Sequence, residues 1–217
     1  SVGRATSVGG VGGCAGGRRL YGVELAEGCA GEPENSKEVA AFALTLFDYT
    51  KRIHGLGDRE REWLEYAGFL HDIGNHISYG KHHRHSYYLI KNGDLRGFDP
   101  DEIEVIALVA RYHRRGTPRK SHEEYAGLSR PLRAAVRTLA SMLRVAESLD
   151  RSHAQVISAL EVHDREDDFV VQLRTSGDAE LEIWATNRHL KPFEQIMRKP
   201  VTLEAAHPKS RTSTIAS

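Results

Sequence analysis

Between residues 35 and 150, apolar side chains recur three and four positions apart, and that period admits little besides a stack of amphipathic helices. Val39, Phe42, Ala43, Leu46, Phe47 and Ile53 trace one stripe. It follows "NSKE", in which Asn35 and Glu38 fit an N-cap with a capping box. Gly55 and Gly57 close that helix, and Asp58 can cap the next, which carries Trp63, Ala67 and Leu70 on one face. "FDPDE" offers Asp99 as N-cap, Pro100 at the first helical position and Glu102 at the third. Ile103, Ile106, Ala107 and Ala110 follow in register. "SHEE" repeats the S-x-x-E box over a short turn, and a long helix after Pro131 aligns Leu132, Val136, Leu139, Leu143 and Ala146.

Beyond about residue 155 the period shifts towards two. "ALEVHD", "FVVQLRT" and "AELEIWA" read as strands, followed by a helix over Arg188–Met197 and a last strand "PVTLEA". The expected fold class is mainly α: a helical bundle over 36–153 with a small α+β appendage over 154–205. Residues 1–35 hold half of the twenty glycines, a composition costly to order, and are expected to be flexible. A phosphate-cradling loop there would need a preceding strand and a GK[ST] or GxGxxG pattern, and "VGGVGGCAGG" supplies neither. The tail 206–217 is expected to be disordered.

Thirty basic and thirty acidic side chains cancel, so net charge points neither to DNA nor to a membrane surface. No apolar run nears the roughly 20 residues that span a bilayer. Cys14 and Cys29 lack zinc-site spacing, which favours a reducing, cytoplasmic setting. The chain begins at Ser1, consistent with a processed product or a piece of a longer protein.

Five of the twelve histidines fall within residues 69–90. Helical spacing places polar side chains on the buried stripes of five segments: His54 seven after Phe47, His71 four after Ala67 with Asp72 beside it, His85 before Tyr88 and Leu89, His113 seven after Ile106, and Asp150 seven after Leu143. One buried polar group without a partner costs roughly 2–7 kcal/mol, so convergent burial of several calls for a shared partner. A single such histidine is more often a satisfied core residue; jointly, imidazoles and carboxylates suit a divalent cation (Mg, Mn or Fe).

The pattern His54…His71-Asp72…Asp150 resembles the HD-domain superfamily, whose signature is H…HD…D on an all-helical bundle. "EYAGFLHDIGNHISYGKHHRHSYYLIKNGDLRGFDPDEIEVIALVARYHRR" and "RVAESLDRSH" further resemble the C-terminal HD-type domain of the exopolyphosphatase/guanosine pentaphosphate phosphatase family, over about residues 36–203. The resemblance implies metal ligation by His54, His71, Asp72 and Asp150, with His85 and His113 as additional ligands. It implies metal-assisted hydrolysis of phosphoesters or phosphoanhydrides, with His71 and Asp72 at the reacting centre and Asp72 orienting water. Asn75 stands where other HD enzymes often carry lysine after "HDIG".

Two basic runs flank these positions, Lys81, His82, His83 and Arg84, and then Arg111, Arg114, Arg115, Arg119 and Lys120. They fit either phosphate clamps or solvated helix ends. The family resemblance favours the clamp, with polyphosphate or a phosphorylated nucleotide as partner, and leaves His76 unassigned. Full-length members carry N-terminal actin-like lobes that these residues do not match. The sequence therefore supports a metal-dependent phosphohydrolase module, or a non-catalytic polyphosphate-binding and homodimerising arm of a split exopolyphosphatase. A helical domain with a histidine pH switch is the weaker third reading.

Overall fold

The computed structural model describes residues 33–206 apart from Asp94 and Arg115. The Gly-rich start and the tail after Ala206, including the expectations placed on them, lie outside the described residues. Helix α1 spans Pro33–His54, α2 Asp58–Leu70, α3 His82–Asn92, α4 Pro100–Arg111, α5 Glu123–Ala126 and α6 Arg130–Ser148. Two 3₁₀ turns, Ile73–His76 and Tyr79–Lys81, link α2 to α3.

Leu46, Phe47, Trp63, Leu64, Leu70, Ile106, Leu108, Leu139 and Met142 make the centre of the core, each less than 2% exposed. Removing such side chains from water contributes about 1.5–3 kcal/mol apiece. The predicted stripe of α4 proves too narrow, since every residue from Val105 to Ala110 is buried. This helix packs against α2, α3 and α6 at once, which leaves it no solvated face.

Local signals set several helix ends as read. Asp99 precedes α4 with Pro100 in its first turn, and Glu102 Oε2 accepts from the Asp99 N–H at 2.8 Å. Ser129 caps α6 by accepting from the Leu132 N–H. At α1 the expectation fails: the helix begins at Pro33, so Asn35 lies inside it, and its amide meets His153 Nδ1 at 2.7 Å. Asp58 is likewise the first helical residue of α2, with Gly57 at the cap and Glu60 Oε2 accepting its N–H at 2.8 Å. His122, not Ser121, stands at the cap of α5.

The C-terminal part holds strands β1 (Ile157–Asp164), β2 (Phe169–Thr175) and β3 (Val201–Ala206), in that order across one sheet. β1 and β2 are antiparallel, while β2 and β3 are parallel. A parallel pair needs a crossover, and helices α7 (Glu180–Asn187) and α8 (Lys191–Met197) supply it. Here the strand expected at "AELEIWA" is corrected to α7. Its buried positions are Glu182, Ala185 and Thr186, three and four apart, whereas Leu181 and Trp184 face solvent. Leu160, Val162, Phe169, Val171, Leu173 and Phe193 join the same buried core as the helices.

Candidate metal centre

The chain leaves α2 after Leu70, and Asp72 adopts φ −107° and ψ 3°, the sparsely populated bridge region. The 3₁₀ turn that follows carries Gly74 directly under α3. A Cβ there would collide with the His82 carbonyl and the Ser86 amide, so only glycine lets the helix approach this closely. The Gly74 N–H donates to Ser86 Oγ at 3.0 Å and holds the contact. This approach brings His82, the first residue of α3, over Asp72. His113 arrives from just past the end of α4.

His71, His82 and His113 share one local device. Each ring donates Nδ1–H to the carbonyl three residues earlier: His71 to Gly68 at 2.6 Å, His82 to Tyr79 at 3.1 Å, and His113 to Ala110 at 2.5 Å. A carbonyl only accepts, so Nδ1 carries the proton, and each neutral ring presents an Nε2 lone pair. These Nε2 atoms gather at Asp72. His82 Nε2 lies 3.2 Å and His113 Nε2 3.5 Å from Oδ1, while His71 Nε2 lies 3.7 Å from Oδ2. His82 and His113 place their Nε2 atoms 3.2 Å apart.

Two imidazole lone pairs cannot face each other at that distance without a proton or a cation between them. Atoms bound at about 2.1 Å to one small ion stand roughly 3.0–3.5 Å apart. The separations within Asp72, His82 and His113 are 3.2, 3.2 and 3.5 Å, and these three form a group able to hold a metal ion. His71 Nε2 and Asp72 Oδ1 are buried with no hydrogen-bond partner among the described residues. The donor set of imidazole nitrogens and a carboxylate oxygen suits a first-row divalent ion.

Electrostatics agree. Burial opposes ionisation of Asp72, yet His71, His113, His82 and Arg114 together draw its pKa down to about 2. Burial, with His71 alongside, pushes His113 well below the ordinary histidine range, so this ring is the poorest host for a proton and favours a metal instead. Glu147, in the last turn of α6, is raised by its burial; His71 lowers it and Asp72 raises it. This second carboxyl therefore faces the same cluster.

Of the residues expected at a metal site, the fold brings together His71, Asp72 and His113 and adds His82 in place of His85. Along α3 the buried positions are His82, Ser86 and Ile90, spaced by four, whereas Tyr88, used to phase His85 inward, is 63% exposed. His85 is half-buried one turn away. His54 stays apart from the cluster. Its Nε2 meets the Phe47 carbonyl at 3.0 Å, and its Nδ1 accepts from the Leu56 N–H at 3.0 Å, so both ring nitrogens serve the end of α1. Asp150 lies beyond α6, where Oδ1 accepts from the Gln155 N–H at 3.3 Å and its charge acts on Glu38 of α1. Sequence reasoning missed Glu147, although it stands four residues after Leu143 on that stripe.

Among the expected phosphate ligands, Arg114 is the cation set closest to the centre, near Asp72 and Glu147, with its guanidinium over the Tyr79 ring at 5.4 Å. Arg111 is engaged by Glu124 at 3.0 Å. Lys81 and Arg84 are exposed, His83 is half-buried with its ring against His82, His76 is exposed, and Arg115 lies outside the described residues.

Comparison with known proteins bears on this centre. The family model for Ppx/GppA phosphatase, domain III, matches residues 24–191, starting earlier than the resemblance at residue 36 suggests. A guanosine-5'-triphosphate,3'-diphosphate pyrophosphatase of Pseudoalteromonas translucida (strain TAC 125) is 47% identical over 45 residues, which is 21% of this chain and 9% of that protein. The matched stretch thus spans a small part of that relative.

Proposed function

The chain belongs to the Ppx/GppA phosphatase family through that family's domain III, and on this premise we propose that it is a metal-dependent phosphohydrolase module acting on phosphoanhydrides, polyphosphate or phosphorylated nucleotides. The observation that carries the reading is the 3.2 Å approach of two Nδ1-protonated imidazoles beside an ionised carboxylate. Asp72, His82 and His113 would hold a divalent ion, with His71 and Glu147 adjoining it. Such an ion supplies Lewis acidity and neutralises phosphoryl charge. The chain's own residues do the remainder. The carbonyls of Gly68, Tyr79 and Ala110 fix the ring orientations. Asp72 keeps its negative charge at neutral pH and accepts a hydrogen bond from water. Arg114 reaches a phosphoryl oxygen from the rim with a bidentate fork.

The test is metal content and phosphate release by the purified chain, beside His82→Ala and Asp72→Asn. The reading expects a stoichiometric divalent metal in the wild type, lost in both variants together with hydrolysis. A wild type that binds no divalent ion at neutral pH overturns it.

A second reading is favoured by the 9% coverage of the pyrophosphatase. The chain then acts as a polyphosphate-binding, dimerising arm of a larger cytoplasmic enzyme whose actin-like lobes perform the hydrolysis. Metal bound without turnover, with turnover restored by those lobes, selects this reading.

A further inference from the structure

A cleft of about 390 Å³ opens where the loop after α4 meets α5 and the start of α6. Pro118, Lys120, Tyr125, Arg130, Arg133 and Arg137 line it, four cations and no acid. It shares no lining residue with the histidine cluster. Its volume lies within the range of sites for small ligands, roughly 300–1,000 Å³.

The arrangement differs from an ordinary basic surface. Arg130, Arg133 and Arg137 are three and four residues apart, so they stand above one another on a single face of α6. Like charges at this spacing destabilise a helix by about 0.2–0.5 kcal/mol per pair. They also sit at the N-terminal end of a 19-residue helix, where the backbone dipole disfavours cations. Neutralising carboxylates would remove the penalty, yet Lys120, Arg130 and Arg137 have no ion-pair partner among the described residues. All three are exposed and turned to the cleft.

Arg133 has a different task. Its guanidinium donates to the carbonyls of Ala126, at 3.1 Å, and Leu128, and its own carbonyl accepts from Tyr125 OH at 3.1 Å. These bonds fasten the turn between α5 and α6 and fix the cleft floor. The remaining three cations surround a preformed hollow, and a multiply charged oxyanion is the partner that offsets their repulsion.

We infer that this cleft is an anion site, separate from the metal centre, for a ligand carrying two or more linked phosphates. Arg130 and Arg137 grip it from α6 and Lys120 from the opposite loop. Charge-assisted hydrogen bonds of this kind contribute about 1.5–3 kcal/mol each, so removing two of the cations costs at least tenfold in affinity.

The experiment is calorimetric titration of inorganic tripolyphosphate into the metal-free full chain, with ATP as a parallel probe. Tripolyphosphate binding shows a free oligophosphate ligand, and binding of ATP alone assigns the phosphates to a nucleotide; binding of neither overturns the inference. Arg130→Gln/Arg137→Gln is expected to weaken binding at least tenfold. Asp72→Asn leaves it within twofold, as does Arg165→Gln/Arg174→Gln, which removes equal charge beside the sheet. A double variant at 130 and 137 that binds like the wild type overturns the inference, as does equal weakening in the control. A second measurement needs only the wild type: tripolyphosphate should slow acetylation of Lys120 severalfold while Lys51 and Lys199 react unchanged. Lys120 reacting at the same rate with and without the anion refutes the site. Because the protein is metal-free throughout, neither outcome depends on the phosphohydrolase reading.

Discussion

Two largely buried carboxylates sit near opposite ends of helix α4, and their surroundings differ in kind. At its N-terminal end Glu102, 2% exposed, accepts from the Asp99 N–H at 2.8 Å, Arg59 Nε at 2.9 Å and Trp63 Nε1 at 3.2 Å. Past its C-terminal end Asp72 faces three imidazole nitrogens, none with hydrogen-bond alignment to Oδ1. A buried carboxylate ringed by donors is a fastening for the fold. One ringed by lone pairs is a site awaiting a cation. The same residue chemistry therefore has opposite meanings, decided by which atoms face it.

The largest effect that would break this comparison lies at the fastening. Glu102→Ala leaves Trp63, Arg59 and the Asp99 amide without their acceptor, and is expected to cost about 3–5 kcal/mol by urea unfolding. Its metal affinity in the folded state should match the wild type, and a loss under 1 kcal/mol would show Glu102 to be dispensable.

At the site, His82→Ala should lower divalent-metal affinity by about 100-fold, roughly 2.7 kcal/mol, whereas His85→Ala stays within about twofold. Equal losses from both would mean that the phase of α3 is wrong.

Acid unfolding of metal-free protein gives a smaller effect. The folded pKa of Asp72, about 2, lies below its unfolded value near 3.9. Its contribution is therefore present above about pH 4 and fades as pH falls through 2. About 2 kcal/mol should be lost across that window, and Asp72→Asn should lack the loss. An identical acid limb in the variant would show the carboxylate to be uncoupled from its imidazoles.

The smallest expected effect is at His54. Its ring hydrogen-bonds to backbone at the end of α1, so His54→Ala should cost about 1 kcal/mol and leave metal content unchanged. Loss of metal in this variant would return His54 to the site.

Much of the fold was legible from residues 33–206 because short-range physics writes it. Pro100 and Glu102 announced the start of α4, and the stripe from Val39 to Phe47 announced α1. "AELEIWA" misled because its alternation satisfies a strand, whereas the parallel pairing of β2 with β3 demands a crossover there. At the site, the adjacent pair His71-Asp72 and the lone His113 could be read from helical stripes. The choice between His82 and His85 could not, since a helix turns about 100° per residue and three residues of phase error swap the candidate. Asp150 was favoured over Glu147 for a similar reason: α6 ends at Ser148, and positions beyond it no longer follow the helical period.

The sequence by itself determined the helical period, most of the capping chemistry and the supply of imidazole and carboxylate groups near one core end. Tertiary structure decided which of them meet. Gly74 lets α3 close onto the turn after Asp72, and the carbonyls of Gly68, Tyr79 and Ala110 aim three Nε2 atoms inward. Convergence of lone pairs from separate elements depends on distances between helices, and no local pattern along the chain encodes those.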